Sequence, residues 1–202
     1  MEIKALTLGH IGTNCYLVST EKAALVIDPG FKSQAVEDFL LLNSDKERLI
    51  LLTHAHFDHI GAAPLLREAT NTKIAIGENE NFALSDCSFN LSDRFHAHIL
   101  PFSADILLAD NEEITVGDIK IKVLFTPGHT VGGVCYFIED ILFSGDTLFS
   151  RSVGRTDFPG GDFVALRKSI DKILTLDGDI TVLSGHGEGT TVALERQYNP
   201  FI

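Results

Sequence analysis

The sequence predicts an α/β fold in which two mixed sheets pack together and helices cover their outer faces, a four-layer αβ/βα sandwich. Three observations predict it: strand-like segments open the chain, helical segments are interspersed, and a second run of strand-like segments follows. Two groups of strands favour two packed sheets over one doubly wound sheet, because each sheet must cover an apolar face. A length of 202 residues suits one domain over 1–202.

The first half of the chain predicts five strands and two helices. The strands are short apolar runs bounded by turn-forming residues, at 3–8, 15–19, 24–27, 49–52 and 73–77. Helical spacing of apolar residues predicts helices over 33–42 and 60–69, with Val36, Phe39 and Leu40 on one face of the first. The run at 49–52 is apolar throughout, which is typical of a strand buried on both faces.

The second half returns to strands after an irregular stretch at 86–104. Further strands are predicted at 113–116, 119–125, 134–138, 141–144 and 180–184. The pair Gly117-Asp118 between two of them predicts a hairpin. A helix is predicted to begin after Gly160-Gly161-Asp162, and its apolar face consists of Phe163, Leu166, Ile170, Ile173 and Leu174.

The composition is that of an ordinary folded protein with an acidic balance. Hydrophobic residues make up 45% and charged residues 22%, so a sizeable core is available. The net charge of −12 argues against nucleic-acid binding, which depends on Lys and Arg at phosphates. No apolar run approaches the roughly 20 residues of a membrane span, and the first six residues do not resemble a signal peptide. We therefore expect no membrane partner and a cytoplasmic location.

The three cysteines have no paired spacing. Cys15 and Cys135 lie within apolar, strand-like runs, where we expect buried free thiols. Together with Cys87 they form an odd set, which fits a reducing compartment such as the cytosol.

Side chains that bind metals follow four of the predicted strands. In chain order they are His54, His56, Asp58, His59, His129, Asp146 and His186. We expect them to meet at one edge of the fold, where loops on a rigid scaffold carry chemistry. Residues two apart in an extended segment point the same way, so His54 and His56 can bind one metal. Asp58 and the following histidine begin a helix and can face a second metal, and a carboxylate between the two sites, Asp146, can bridge them.

The ligand types indicate which ions fit. Imidazole and carboxylate suit Zn²⁺, and Fe or Mn as well. A lone histidine is more often a core residue than a ligand, so we leave His10, His96 and His98 outside the site.

The segment 54–59, His-Ala-His-Phe-Asp-His, matches the HxHxDH signature of the metallo-β-lactamase superfamily. The chain resembles this superfamily from about residue 14 to residue 186. Its other motifs are in order: Ile-Asp-Pro-Gly with Asp28, Thr-Pro-Gly-His-Thr with His129, Ser-Gly-Asp-Thr-Leu-Phe with Asp146 and Ser-Gly-His-Gly with His186.

The resemblance implies a role for each of these residues. It implies a first metal held by His54, His56 and His129. It implies a second metal held by Asp58, His59 and His186, with Asp146 bridging the two. Asp28 would stand behind the ligands and steady the histidine loop by hydrogen bonds.

Within the superfamily, the chain looks most like a short bacterial branch of glyoxalase II-like thioesterases, the hydroxyacylglutathione hydrolases. The resemblance rests on 14–17, 126–130, 144–149 and 154–162. It implies hydrolysis of S-acyl glutathione thioesters, such as S-lactoylglutathione, by a hydroxide formed on two divalent ions, zinc first and iron or manganese also suitable. Asp58 would be the catalytic residue, accepting a hydrogen bond from the attacking water.

Three other reactions stay open. The run Gly-Arg-Thr-Asp-Phe at 154–158 is similar to that of persulfide dioxygenases, which would use one Fe(II) at His56, His129 and Asp146. Lactam or lactone hydrolysis could use the same hydroxide. A nuclease of this fold normally needs a basic surface, which the acidic composition does not predict.

The substrate we expect is a small thioester or thiol-derived molecule, whereas the oligomeric state is left open. Full-length glyoxalase II enzymes bind glutathione partly through a helical C-terminal domain, for which a chain ending at Ile202 has no room. Recognition would then fall to the core, where Arg151 and Arg155 are the candidate substrate-binding cations. An ion pair with Asp157 is the alternative role of Arg155.

Overall fold

Two six-stranded sheets form the centre of the structure, a computed structural model that describes residues 1–202. In chain order, the strands of the first sheet are β1 Glu2–Leu8, β2 Thr13–Ser19, β3 Ala23–Ile27, β4 Glu47–Leu52, β5 Lys73–Gly77 and β6 Ile106–Leu108. They lie side by side in that order. β1, β2 and β3 are antiparallel and β3 to β6 are parallel, so the sheet is mixed.

The second sheet is built by the later part of the chain. The strands there are β7 Glu113–Val116, β8 Ile119–Phe125, β9 Val134–Ile138, β10 Ile141–Gly145, β11 Leu148–Phe149, β12 Ser152–Val153, β13 Thr181–Ser184 and β14 Thr190–Thr191. The sheet order is β14-β13-β10-β9-β8-β7, and β11 pairs with β12 separately. Only the pair of β10 and β13 is parallel.

Helices cover the outer face of each sheet. They are α1 Gln34–Leu42, α2 Phe57–Ile60, α3 Ala63–Thr70, a 3-10 helix Glu78–Ser85, α4 Phe163–Ile173 and α5 Val192–Tyr198. One apolar cluster joins the first sheet to α1 and α3, a second lies between the sheets, and a third joins the second sheet to α4 and α5. The predicted αβ/βα layering is therefore confirmed.

Strand β4 shows how sequence pattern produces this layering. Leu49 and Leu51 point into the cluster between the sheets, whereas Ile50 and Leu52 point into the cluster under the helices. All four side chains are buried. Successive side chains of a strand face opposite ways, so a strand between two apolar layers must be apolar throughout.

Two helix predictions need correction. The helix predicted over 60–69 is two helices, α2 and α3, because Pro64 near the start of α3 has no N–H to bond the carbonyl of Ile60. Phe163, predicted on the apolar face of α4, is 60% exposed, and the buried face begins only at Leu166. The strands β6, β11, β12 and β14, helix α5 and the 3-10 helix were not predicted.

Two further expectations for the fold, the hairpin and the buried thiols, are confirmed. Val116 pairs with Ile119 across the Gly117-Asp118 hairpin, and Gly117 has the positive φ of +58° that this tight turn requires. Cys15 and Cys135 are buried free thiols, and burial raises the pKa of Cys135 to about 11. None of the helices combines the length and the apolar character that crossing a membrane requires.

Candidate metal centre

Four strand ends deliver the predicted ligands to one edge of the two-sheet core. The chain leaves β4 into His54, His56 and α2, and it leaves β8, β10 and β13 shortly before His129, Asp146 and His186 respectively. Three overlapping groups result, each with its ligand atoms within 4.8 Å of one another: His54, His56 and His129; His54, His59 and Asp146; Asp58, His59 and His186. The structure thus brings together all seven residues.

The first group is a triangle of ring nitrogens. His56 Nδ1 lies 3.1 Å from His54 Nε2 and 3.0 Å from His129 Nε2. Ligands about 2.0–2.1 Å from a tetrahedral zinc ion stand roughly 3.3 Å apart, so the triangle has the size that a metal needs. Because one ring nitrogen cannot donate to both neighbours at once, a shared cation explains the triangle better than hydrogen bonds do.

Hydrogen bonds behind the rings fix which nitrogen faces the centre. Thr53 donates its hydroxyl to Asp28 at 2.6 Å, so it accepts the N–H of His54 Nδ1 at 3.1 Å. His59 Nδ1 donates to Asp28 at 2.9 Å, and His129 Nδ1 donates to the carbonyl of Arg155 at 2.8 Å. The Nε2 lone pairs of these three rings therefore face the centre, as metal binding requires.

Asp146 lies between the two groups. Its Oδ2 is 3.6 Å from the Nε2 atoms of both His129 and His186, and its Oδ1 is 3.5 Å from His59 Nε2. Asp58 Oδ2 completes the second group, 3.2 Å from His186 Nε2 and 3.4 Å from His59 Nε2. The buried atoms His59 Nε2 and Asp146 Oδ1 have no hydrogen-bond partner. Because buried polar atoms rarely stay unpaired, these two atoms fit a bound cation.

The electrostatics also suit cations. Burial and neighbouring imidazoles lower the pKa values of His54 and His56, so both rings are neutral. Burial opposes ionisation of Asp58, but the neighbouring imidazoles of His59 and His186 hold the pKa of its carboxyl well below the usual range. Neutral imidazoles beside an ionised carboxylate form the donor set expected of a zinc or iron site.

Residues of strand β2 support the second group. The sequence did not reveal this support. Thr13 Oγ1 donates to Asp58 Oδ2 at 2.9 Å. Asn14 Nδ2 donates to the carbonyl oxygens of Ser184 and Gly187 at 3.0 and 2.9 Å, and the hydroxyl of Tyr16 donates to Ser184 at 2.6 Å. These contacts hold the loop that carries His186. The segment 14–17 supported the family resemblance. Its contacts with the His186 loop could not be predicted, because they join residues far apart in the sequence.

Glu80 supports the first group in a comparable way. Its side chain is only 1% exposed. It accepts the N–H of Ala55 at 3.0 Å and the N–H of Gly132 at 2.7 Å. Burial raises the pKa of Glu80 despite these two hydrogen bonds. One carboxylate therefore links the backbone of the His54–His56 segment to the loop that follows His129.

A cavity of about 420 Å³ opens above the cluster. Arg155 lines it, but its guanidinium donates to both carboxylate oxygens of Asp157 at 2.6 Å, the alternative considered for this residue. Arg151 lies outside the cavity lining, over the ring of Tyr198 at 5.8 Å. His10, His96 and His98 take part in none of the ligand groups.

Comparison with known proteins identifies the family. The pattern of the metallo-beta-lactamase superfamily matches residues 8–186. A probable metallo-hydrolase of Bacillus subtilis is 37% identical, covering 100% of this chain and 98% of its own length. A hydroxyacylglutathione hydrolase, GloC, of Haemophilus influenzae is 33% identical, covering 100% and 98%.

Solved structures agree with this assignment. The B3 metallo-beta-lactamase BLEG-1 has a TM-score of 0.90 at 40% identity, covering 99% of each chain. TTHA1623, crystallised in a di-iron-bound form, has a TM-score of 0.84 at 35% identity, covering 98% of this chain and 100% of its own. ETHE1 from Myxococcus xanthus has a TM-score of 0.80 at 30% identity, covering 99% and 84%. The chain therefore belongs to the metallo-β-lactamase superfamily.

Proposed function

We propose that this metallo-hydrolase cleaves S-acyl glutathione-type thioesters, such as S-lactoylglutathione. The observation that carries the proposal is the position of Asp146 between two groups of ligand atoms at the floor of a cavity. One ion would be held by His54, His56 and His129, and the other by Asp58, His59 and His186. Zinc suits this donor set best, and iron or manganese would also fit.

Asp58 is the chain's own group that can orient the attacking water. Two divalent ions would supply a hydroxide near neutral pH and polarise the substrate carbonyl. Thr13 donates to Asp58 Oδ2 and so orients that carboxylate beside the cavity, where it can accept a hydrogen bond from the attacking water. A thiolate is a good leaving group, so the reaction needs no strong general acid. The Haemophilus influenzae relative, a hydroxyacylglutathione hydrolase by name, supports this substrate class.

The test combines metal analysis with a thioester assay on one preparation. We expect about two ions per chain and hydrolysis of S-lactoylglutathione that stops when a chelator removes the metal and resumes when zinc returns. Protein without stoichiometric metal would contradict the proposed centre. Metal-loaded protein that hydrolyses the thioester no faster than buffer would contradict the substrate alone.

A second candidate is oxidation of a persulfide by O₂, with one Fe(II) ion at the site. His56, His129 and Asp146 all line the cavity, and two histidines with one carboxylate form an iron site with open positions for O₂. Oxygen uptake with glutathione persulfide, measured on iron-loaded protein, separates this reaction from thioester hydrolysis. Lactonase chemistry is a third candidate, and the likeness to BLEG-1 makes a lactam a useful control substrate.

Several expectations stay predictions from the sequence. They are a small-molecule partner, the absence of nucleic-acid and membrane partners, a cytoplasmic location and substrate contacts by Arg151 and Arg155.

A further inference from the structure

The cavity above the metal cluster has a polar floor and an apolar wall. Seven of its thirteen lining residues are hydrophobic: Ile11, Phe57, Leu91, Phe95, Phe149, Val153 and Phe158. The floor is formed by ligand-cluster residues, and the one remaining lining residue is Arg155. A molecule that reaches the cluster must therefore pass along an apolar surface.

Aromatic rings extend this wall from the cavity mouth to the cluster. Phe95 stacks on Phe57 with ring centroids 4.9 Å apart and an angle of 23°. Phe95 also meets Phe158 edge-on at 6.3 Å, and Phe158 meets the ring of His56 edge-on at 6.0 Å. Such faces and edges bind aromatic and other flat apolar groups well.

Two wall residues leave apolar surface in the solvent. Ile11 is 41% exposed in the turn between β1 and β2, and Phe95 is 45% exposed in the irregular stretch 86–104. Exposed apolar side chains are common singly, but two on different loops at the mouth of one cavity form a patch that a ligand can cover.

The wall offers little to a charged ligand. The guanidinium of Arg155 is already paired with Asp157 and lies over the ring of Phe158, 3.9 Å from its centroid. Arg94 also lies over that ring, at 5.1 Å, but it does not line the cavity. Glutathione carries two carboxylates and an ammonium group, so its polar arms gain no obvious partner along this wall.

We propose that the preferred substrate carries an apolar group of aromatic size on its acyl side, held by this wall. The inference rests on the proposed thioesterase function. Because Phe158 of the wall meets the ring of His56, a group held by the wall lies beside the ligand cluster, close to the carbonyl that reacts there. The acyl substituent and the thiol both flank that carbonyl, and we assign the apolar wall to the acyl substituent because the charged thiol portion is better placed toward solvent.

Two substrates with the same thiol test the proposal. S-mandeloylglutathione and S-lactoylglutathione both have an α-hydroxyl and differ only in a phenyl in place of a methyl group. We expect kcat/KM to be at least about tenfold higher for the mandeloyl thioester, mainly through a lower KM. Hydrolysis of both at equal efficiency, or a preference for lactoyl, would overturn the inference alone. Hydrolysis of neither would overturn the proposed function itself.

Variants locate the preference in the wall. Phe95→Ala should reduce the ratio of the two kcat/KM values several-fold, and Ile11→Ala, on a separate loop, gives an independent measurement if Phe95→Ala folds poorly. The matched control is Phe82→Ala, because Phe82 is 44% exposed but lies outside the cavity lining. Phe82→Ala should leave the ratio unchanged. If both wall variants keep the wild-type ratio of kcat/KM values, the substrate preference does not come from this wall.

Discussion

At the scale of single residues, the ligands are oriented by acceptors that stand behind them. Asp28 accepts the N–H of Thr53 at 2.8 Å, the hydroxyl of Thr53 at 2.6 Å and the N–H of His59 at 2.9 Å. It therefore orients His59 directly and His54 through Thr53. Asp28 itself adopts φ of +53°, a conformation that Asp tolerates better than most residues. These three hydrogen bonds are the contacts through which Asp28 can steady the histidine loop.

Glu80→Gln should weaken metal binding. An amide would place an NH₂ group against the N–H of Ala55 or Gly132, so one of the two contacts between the ligand loops would be lost. Changing partners of this kind commonly lowers metal affinity by about 10- to 100-fold. Competition for zinc with a chromophoric chelator measures the change independently of activity, and substituted cobalt would show an altered visible spectrum.

Glu195 provides the control for this variant. It is also 1% exposed, and it accepts hydrogen bonds from the Arg151 backbone, Thr190 and Asn199, away from the metal cluster. Glu195→Gln should lower the free energy of unfolding by about 1–3 kcal/mol while zinc affinity stays at the wild-type value. A similar loss of affinity in both variants would mean that Glu80 acts only through general stability.

The two ends of the cluster should respond differently to ligand removal. Asp146 contacts His59, His129 and His186, so Asp146→Ala is expected to lower the occupancy of both metal positions. His186 belongs to one ligand group alone, with Asp58 and His59, so His186→Ala is expected to empty mainly one position. Metal content per chain, measured by mass spectrometry at limiting free zinc, distinguishes these outcomes. Equal loss in both variants would contradict the assignment.

At the scale of elements, strand ends need glycine where they approach the cluster. A Cβ at Gly185, just after β13, would lie 2.2 Å from Asp146 Oδ1 and 2.6 Å from His59 Cε1. Gly185→Ala should therefore displace both ligands and reduce zinc occupancy and activity together. The measurement is metal content alongside a circular dichroism spectrum that retains the sheet signal.

Gly187→Ala is the matched control, two residues further along the same loop. A Cβ there would have no neighbour within 4 Å, although its φ of +74° strains any other residue. We expect a loss of about 1–2 kcal/mol in unfolding free energy and unchanged zinc occupancy. If this variant also lost zinc, the loss in Gly185→Ala could not be assigned to the close approach of Gly185 to Asp146 and His59, and strain in the loop would explain both.

Elements with a strong local pattern could be predicted from the sequence, and the others could not. The four apolar residues 49–52 identified a central strand, and the HxHxDH segment identified the cluster that follows it. The strands β11, β12 and β14 are two residues long, too short for periodicity to show. Thr13 and Glu80 contact the site through pairings that only the folded chain creates, and no spacing in the sequence encodes them.

At the scale of the whole molecule, the ligands come from both sheets, so bound metal joins the two halves of the core. Binding to the folded state alone adds RT ln(1 + [L]/Kd), about 4 kcal/mol when the free ion exceeds Kd a thousandfold. For a protein of this size we expect a chelator to lower the melting temperature by roughly 8–16 °C. Differential scanning fluorimetry with EDTA, followed by zinc addition, measures it. An unchanged melting temperature would contradict a centre that spans both sheets.

The contact between β2 and the loop carrying His186 also determines when metal can be captured. Asn14 is joined to the carbonyl oxygens of Ser184 and Gly187, which lie 170 and 173 residues further along the chain. Contacts across so much sequence form late, because closing a long loop must come first. A chain emerging from the ribosome therefore cannot complete the second ligand group until His186 has been made and both sheets have closed. Full loading with metal would then report that the two sheets have formed and met.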